Sequence, residues 1–173
     1  MDKKTNIVLI GMPGCGKSTL GVLTAKALGL GFVDTDLVIQ HKTGRMLYKI
    51  VEQDGKDAFL DVERDSIVST EFDRCVVATG GSAVLREQTM EHLKKNGVVV
   101  YLELPYYSVK RRIKNIKTRG IAFGEGETLA DLYRERCPLY EKYADIVIAC
   151  SGKNTEQNVS DIVEKVKDLV ATE

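Results

Sequence analysis

"NIVLIGMPGCGKST", residues 6–19, joins a short apolar run to three glycines, a lysine and two hydroxyls. Gly11-x-x-x-x-Gly16-Lys17-Ser18 has the spacing of a phosphate-binding loop, with a strand pattern before it and a helix pattern after it. The glycines permit backbone conformations in which successive N–H groups converge on one anion. A helix opening near Lys17 adds its positive N-terminal end. Lys17 brings a full charge to the β- and γ-phosphates of a nucleotide, and the Ser18 hydroxyl is a candidate Mg²⁺ ligand. The residues expected to hold the nucleotide here are Gly11, Gly14, Cys15, Gly16, Lys17, Ser18 and Thr19. The expected ligand is ATP or GTP with magnesium.

Outward from this loop, apolar β-branched runs alternate with longer amphipathic ones. Strands are expected at 6–10, 31–35, 75–79, 98–104 and 144–149. Their nearly continuous apolar character predicts strands buried on both faces of a parallel sheet. Helices are expected at 17–29, 36–43, 47–53, 56–70, 86–95, 106–117, 128–140 and 155–170. The alternation predicts a doubly wound α/β fold. One stretch breaks the rhythm: "KTRGIAFGEGE", 117–127, reads as a flexible surface loop or a mobile lid, and Thr128 with Asp131 has the spacing of a capping box that restarts a helix after it. The last helix, apolar every three or four residues, is a packing face for the sheet.

The 173 residues, 43% hydrophobic and 29% charged, suit one domain with its own core. A formal net charge of zero provides no global field for nucleic acid or an anionic membrane. No stretch approaches the roughly 20 apolar residues that span a bilayer, and the first residues lack a signal-peptide pattern. Cys15, Cys75, Cys137 and Cys150 show no metal-ligand spacing and read as reduced thiols, and His41 and His92 as surface residues. The expectation is a cytoplasmic monomer with a small-molecule partner.

What is done with the phosphate depends on "FVDTD", 32–36, which ends the second strand in two carboxylates. No strand ends in the Asp-Glu pair of motor ATPases, and no guanine-reading Asn-Lys-x-Asp appears. Side chains two apart on a strand share a face. Asp34 and Asp36 would therefore meet the phosphate loop where open α/β sheets gather their ligands. There they suit a hydrated Mg²⁺ and the proton of an attacking hydroxyl. The alternative role for Asp36 is to cap the helix at 36–43.

The loop, "DTD" (34–36), "TGR" (43–45), "DGKDAF" (54–59), Glu63, "TGG" (79–81), Arg119 and "RCPLY" (136–140) follow one another as in shikimate kinases, a family the chain resembles from residue 6 to about 150. That resemblance implies a single P-loop kinase domain over 1–173. It has a five-stranded parallel sheet flanked by helices, a substrate-binding helical section at about 36–70 and a lid at about 117–127. It implies transfer of the ATP γ-phosphate to a hydroxyl of shikimate. Lys17, Asp36 and Arg119 would be catalytic, with Asp36 as base and Arg119 as the lid cation. Ser18 and Asp34 would serve Mg²⁺, and Arg112 would stack on adenine. Asp36, Gly80, Gly81, Ser82 and Arg136 would bind the acceptor, with Arg136 on its carboxylate.

Three departures touch this pattern. Leu60 stands where the family carries an arginine that clasps the substrate carboxylate and is oriented by Glu63. Losing one side of that clamp costs about 1.5–3 kcal/mol, or about 10- to 150-fold in affinity. Arg64, one helical turn on, is a candidate replacement. Ser82 stands for a third glycine, and Gly120-Ile121-Ala122 follows Arg119 where Pro-Leu-Leu is usual. A kinase for another small hydroxylated acceptor is one alternative, and a nucleotide-binding module without acceptor chemistry is another.

Overall fold

A computed structural model describes residues 3–114 and 120–171. Five strands, β1 (Asn6–Ile10), β2 (Gly31–Asp34), β3 (Cys75–Ala78), β4 (Gly97–Glu103) and β5 (Ile146–Ala149), form one sheet in the order β2-β3-β1-β4-β5. Every pairing is parallel. The helices are α1 (Lys17–Leu28), α2 (Thr35–Thr43), α3 (Leu47–Asp54), α4 (Lys56–Val68), α5 (Glu87–Asn96), α6 (Tyr106–Arg112), α7 (Leu129–Tyr143) and α8 (Thr155–Val166). They flank the sheet as the alternation predicts.

The central strands are buried along almost their whole length. The expectation of burial on both faces fails for the two edge strands: β2 is partly exposed and β5 alternates. An edge strand has a neighbour on one side only, so apolar sequence alone does not report its cover. Asn6 is buried within β1; its Nδ2 donates to the Phe72 carbonyl at 2.8 Å and its Oδ1 accepts from the Cys75 amide at 3.1 Å. These bonds fix the entry to β3 beside β1.

Local signals set several boundaries. α1 ends at Gly29, whose positive φ suits a left-handed cap. Thr128 and Asp131 form the expected reciprocal capping box. α7 then runs past the expected end at 140 to Tyr143, with Pro138 inside it. α6 is shorter than expected and stops at Arg112. The apolar stripe of α8 packs as expected, burying Ile162 and Val166.

A second, smaller apolar cluster joins Ile39, Leu47, Ile50, Phe59, Leu60 and Ala122. It stiffens the section formed by α2, α3 and α4 beside the carboxyl ends of the strands. The described part of the 117–127 stretch packs against both apolar clusters. Ile121 and Ala122 are buried, and Glu127 accepts from Lys56 Nζ at 2.8 Å. All four thiols are free. His92 is not simply a surface residue: it is half-buried, with Nε2 2.8 Å from the Thr70 carbonyl. Among the described residues no helix is long and apolar enough to cross a membrane.

Candidate active site

At the carboxyl end of β1 the chain must turn sharply to enter α1. Gly11 adopts φ +151°, and a β-carbon there would lie 2.9 Å from both Cys15 Sγ and the Leu102 carbonyl oxygen, so only glycine fits. Gly16 precedes α1 in the left-handed region and offers no side-chain cap. The first N–H groups of the helix are thus left for an anion. Lys17 Nζ donates to the carbonyls of Gly11 (2.7 Å) and Met12 (2.9 Å), which holds the ammonium across the loop. Cys15 buries its side chain, with Sγ 3.6 Å from Lys17 Nζ.

Asp34 and Asp36 reach this loop by a different route from the one expected. The chain does not stay extended through residue 36; it enters α2 at Thr35. Asp34, not Asp36, is the cap: its Oδ1 accepts from the Asp36 amide at 2.9 Å. Its Oδ2 accepts from Ser18 Oγ at 2.7 Å, which joins the phosphate loop to the end of β2. Asp36 then projects from the first turn of α2. Burial, and next the charge of Asp34, push its carboxyl up to about 6, against a smaller opposing pull from Lys17.

Ser18 and Asp34 present hard oxygen donors side by side, which fits Mg²⁺. Among the described residues no cluster of three or more His, Cys, Asp or Glu could cage a metal. Mg²⁺ at nucleotide sites usually keeps several waters and takes one or two protein carboxylates.

A second group of candidate residues lies over the turn after β3. A β-carbon on Gly80 would meet Glu63 Oε2 at 2.8 Å and Asp36 Oδ1 at 3.1 Å; one on Gly81 would meet the Pro13 ring at 2.7 Å. Two glycines here therefore let β3 lie close to both the phosphate loop and the acidic pair. Ser82 Oγ donates to Glu63 Oε1 at 2.8 Å. Burial drives the Glu63 carboxyl up to about 7, helped by the charge of Asp36 and opposed by the Ser82 bond, Arg136 and Lys17. Arg136 is fully buried in the middle of α7 and donates from its guanidinium to the Ala122 carbonyl at 2.9 Å.

Gly14, Gly16, Lys17, Ser18, Thr19, Asp34, Asp36, Gly80, Gly81, Ser82, Arg112 and Arg136 all line one cleft of about 530 Å³. Gly11 and Cys15 support it from beneath and do not line it. Arg119 lies outside the described residues. Leu60 is buried in the smaller apolar cluster and offers the cleft no donor. Arg64 does not replace the missing cation, because it pairs with Asp61 and Asp65. Sequence reasoning missed Pro13, Phe59 and Ile121 as lining, and took Glu63 only as a group that orients an arginine. A signal for Glu63 existed: it shares the apolar register of α4 with Phe59, Leu60 and Ile67, where a carboxylate must be buried.

A shikimate kinase family model matches residues 13–167. A shikimate kinase of Thermodesulfovibrio yellowstonii is 39% identical over 95% of this chain and 96% of its own length. One from Clostridium botulinum is 33% identical over 96% and 98%. The structure of a shikimate kinase from Acinetobacter baumannii in complex with shikimate superposes with a TM-score of 0.84. It is 32% identical and covers 95% of this chain and 94% of that one.

Proposed function

The chain belongs to the shikimate kinase family, and from that membership we propose that it transfers the γ-phosphate of ATP to a hydroxyl of shikimate. The observation that carries this reading is the Ser18–Asp34 hydrogen bond, which brings the phosphate loop and the acidic strand end into one cleft. The triphosphate lies in the loop under Lys17, with Arg112 toward the base. Ser18 and Asp34 would hold Mg²⁺, which would neutralise charge on the phosphates.

In the transfer step the acceptor oxygen bonds to the γ-phosphorus as the bond to ADP breaks. The hydroxyl proton passes to Asp36, whose carboxyl is tuned close to neutrality. Arg136, with Nε unpartnered in the buried wall, takes the acceptor carboxylate. Most of the rate enhancement in such a site comes from positioning and charge neutralisation rather than covalent chemistry.

The test is a coupled ADP-release assay with ATP, Mg²⁺ and shikimate. Saturable, shikimate-dependent ADP release with formation of a phosphate monoester is expected. ATP binding without any acceptor-dependent turnover would overturn the proposal.

Gly80→Ala gives a second, local check. The new methyl would stand between Glu63 and Asp36 and displace the acceptor. Misplacement by about 1 Å costs up to roughly 10²-fold in rate. A loss of about 10- to 100-fold in kcat/KM for the acceptor is therefore expected, with KM for ATP unchanged, measured by steady-state kinetics with each substrate varied in turn.

A further inference from the structure

The acceptor end of the cleft holds one charge that the transfer just described leaves unused. Glu63 is 2% exposed and lines the cleft. Ser82 occupies its Oε1, but its Oε2 is buried without a partner. A β-carbon on Gly80 would come within 2.8 Å of that oxygen, so it borders the wall of the cleft over the β3 turn. The cations of its own helix are committed elsewhere: Lys56 to Glu127 and Glu135, Arg64 to Asp61 and Asp65. Arg86, from the neighbouring segment, also goes to Asp61. Across the same cleft the fully buried Arg136 leaves its Nε unpartnered.

A buried acceptor and a buried donor without partners each carry a desolvation cost that a ligand can remove. Together they ask for a ligand with one cationic and one anionic group. Shikimate supplies the anion alone. We propose that the cleft also takes hydroxylated amino acids as phosphoryl acceptors, the carboxylate on Arg136, the ammonium on Glu63 Oε2 and the side-chain hydroxyl toward Asp36. The step balances as for any alcohol. The hydroxyl oxygen bonds to the γ-phosphorus, the bond to ADP breaks, and the proton goes to Asp36. The products are ADP and an amino acid phosphate ester. This inference rests on the kinase reading of the cleft and not on shikimate as its acceptor.

The ionisation of Glu63 gives the proposal a pH signature. The groups facing it are Asp36 from α2, which raises it, and Arg136 from α7 and Lys17 from the phosphate loop, which lower it. With Glu63 titrating near 7, an ammonium ligand should bind better as pH rises through that value. An acceptor with a carboxylate and no ammonium should bind worse over the same range.

The experiment measures ADP release by the full chain with ATP, Mg²⁺ and one acceptor at a time. The acceptors are L-serine and L-homoserine, their deaminated counterparts 3-hydroxypropanoate and 4-hydroxybutanoate, and shikimate, with the phosphate ester identified by ³¹P NMR. At least one amino acid should exceed its deaminated counterpart by about 10- to 150-fold in kcat/KM, the worth of one charged hydrogen bond. The difference should lie in KM, and KM should fall as pH rises through 7. In Glu63→Gln the two should become equal. Equal turnover of each amino acid and its counterpart in the unmodified protein, or none of either, overturns the inference without recourse to any variant. Turnover of shikimate alone leaves the function proposal standing and this one refuted. Turnover of an amino acid alone does the reverse.

Discussion

Asp36→Asn should lower kcat by about 10²- to 10⁴-fold, the usual range for removing a positioned general base. The amide is close to isosteric and keeps contact with the acceptor, so KM for the acceptor should change far less than kcat. The pH profile identifies the cause. Burial and Asp34 hold the Asp36 carboxyl of the free protein near 6, so kcat/KM of the unmodified protein should fall about tenfold per pH unit below that value. That acid limb should vanish in the variant.

Loss of fold is excluded by the opposite sign of the stability effect. The carboxyl of Asp36 titrates higher in the folded chain than the ordinary 3.8. Its contribution to stability is therefore full below the ordinary carboxylate range and lost as pH rises through about 6. Above that pH the charged group is a burden, which asparagine removes. In the absence of nucleotide the variant should be more stable at pH 8 by on the order of 2 kcal/mol, a rise of roughly 4–8 °C in Tm for a chain of this size. A variant both inactive and destabilised would count against Asp36 as the base.

Lys17→Met should cost about 10²- to 10³-fold in kcat, as for removal of one preorganised charge from a transition state. Methionine keeps most of the buried stem, so the change isolates the ammonium. That ammonium is held by the carbonyls of Gly11 and Met12 before any phosphate arrives. The phosphates therefore meet a cation already in place and pay no cost to order it. Binding of ATP, measured by calorimetry, should weaken less than kcat falls, because the charge on the transferring group spreads in the transition state. Equal losses in ATP affinity and kcat/KM with an unchanged kcat would assign Lys17 to ground-state binding alone.

The site was unevenly legible in the sequence. The phosphate loop could be read because its function is local: a strand, glycines at fixed offsets, a helix and a lysine suffice to define it. The capping box at Thr128 was legible for the same reason. The pair Asp34 and Asp36 was correctly brought to the loop by an incorrect geometry. Strand alternation does not continue through a residue that caps a helix, and Asp34, accepting from the Asp36 amide, starts α2 at Thr35. Arg64 looked like a substitute cation because helical spacing places it near Leu60, yet two neighbouring acids occupy it.

By itself the sequence determined the parallel sheet, the anion-binding turn and most helix limits, since periodicity, glycine conformation and capping depend on residues a few places apart. The tertiary structure alone decided the chemistry of the cleft wall over the β3 turn. Asp36 and Glu63 approach neutrality, and Arg136 and Glu63 are left with unpartnered atoms, because α2, α4, α7 and the β3 turn close over them together. Desolvation is a sum over all the groups that exclude water from a site. Here those groups are scattered from Lys17 to Arg136, and only the fold assembles them.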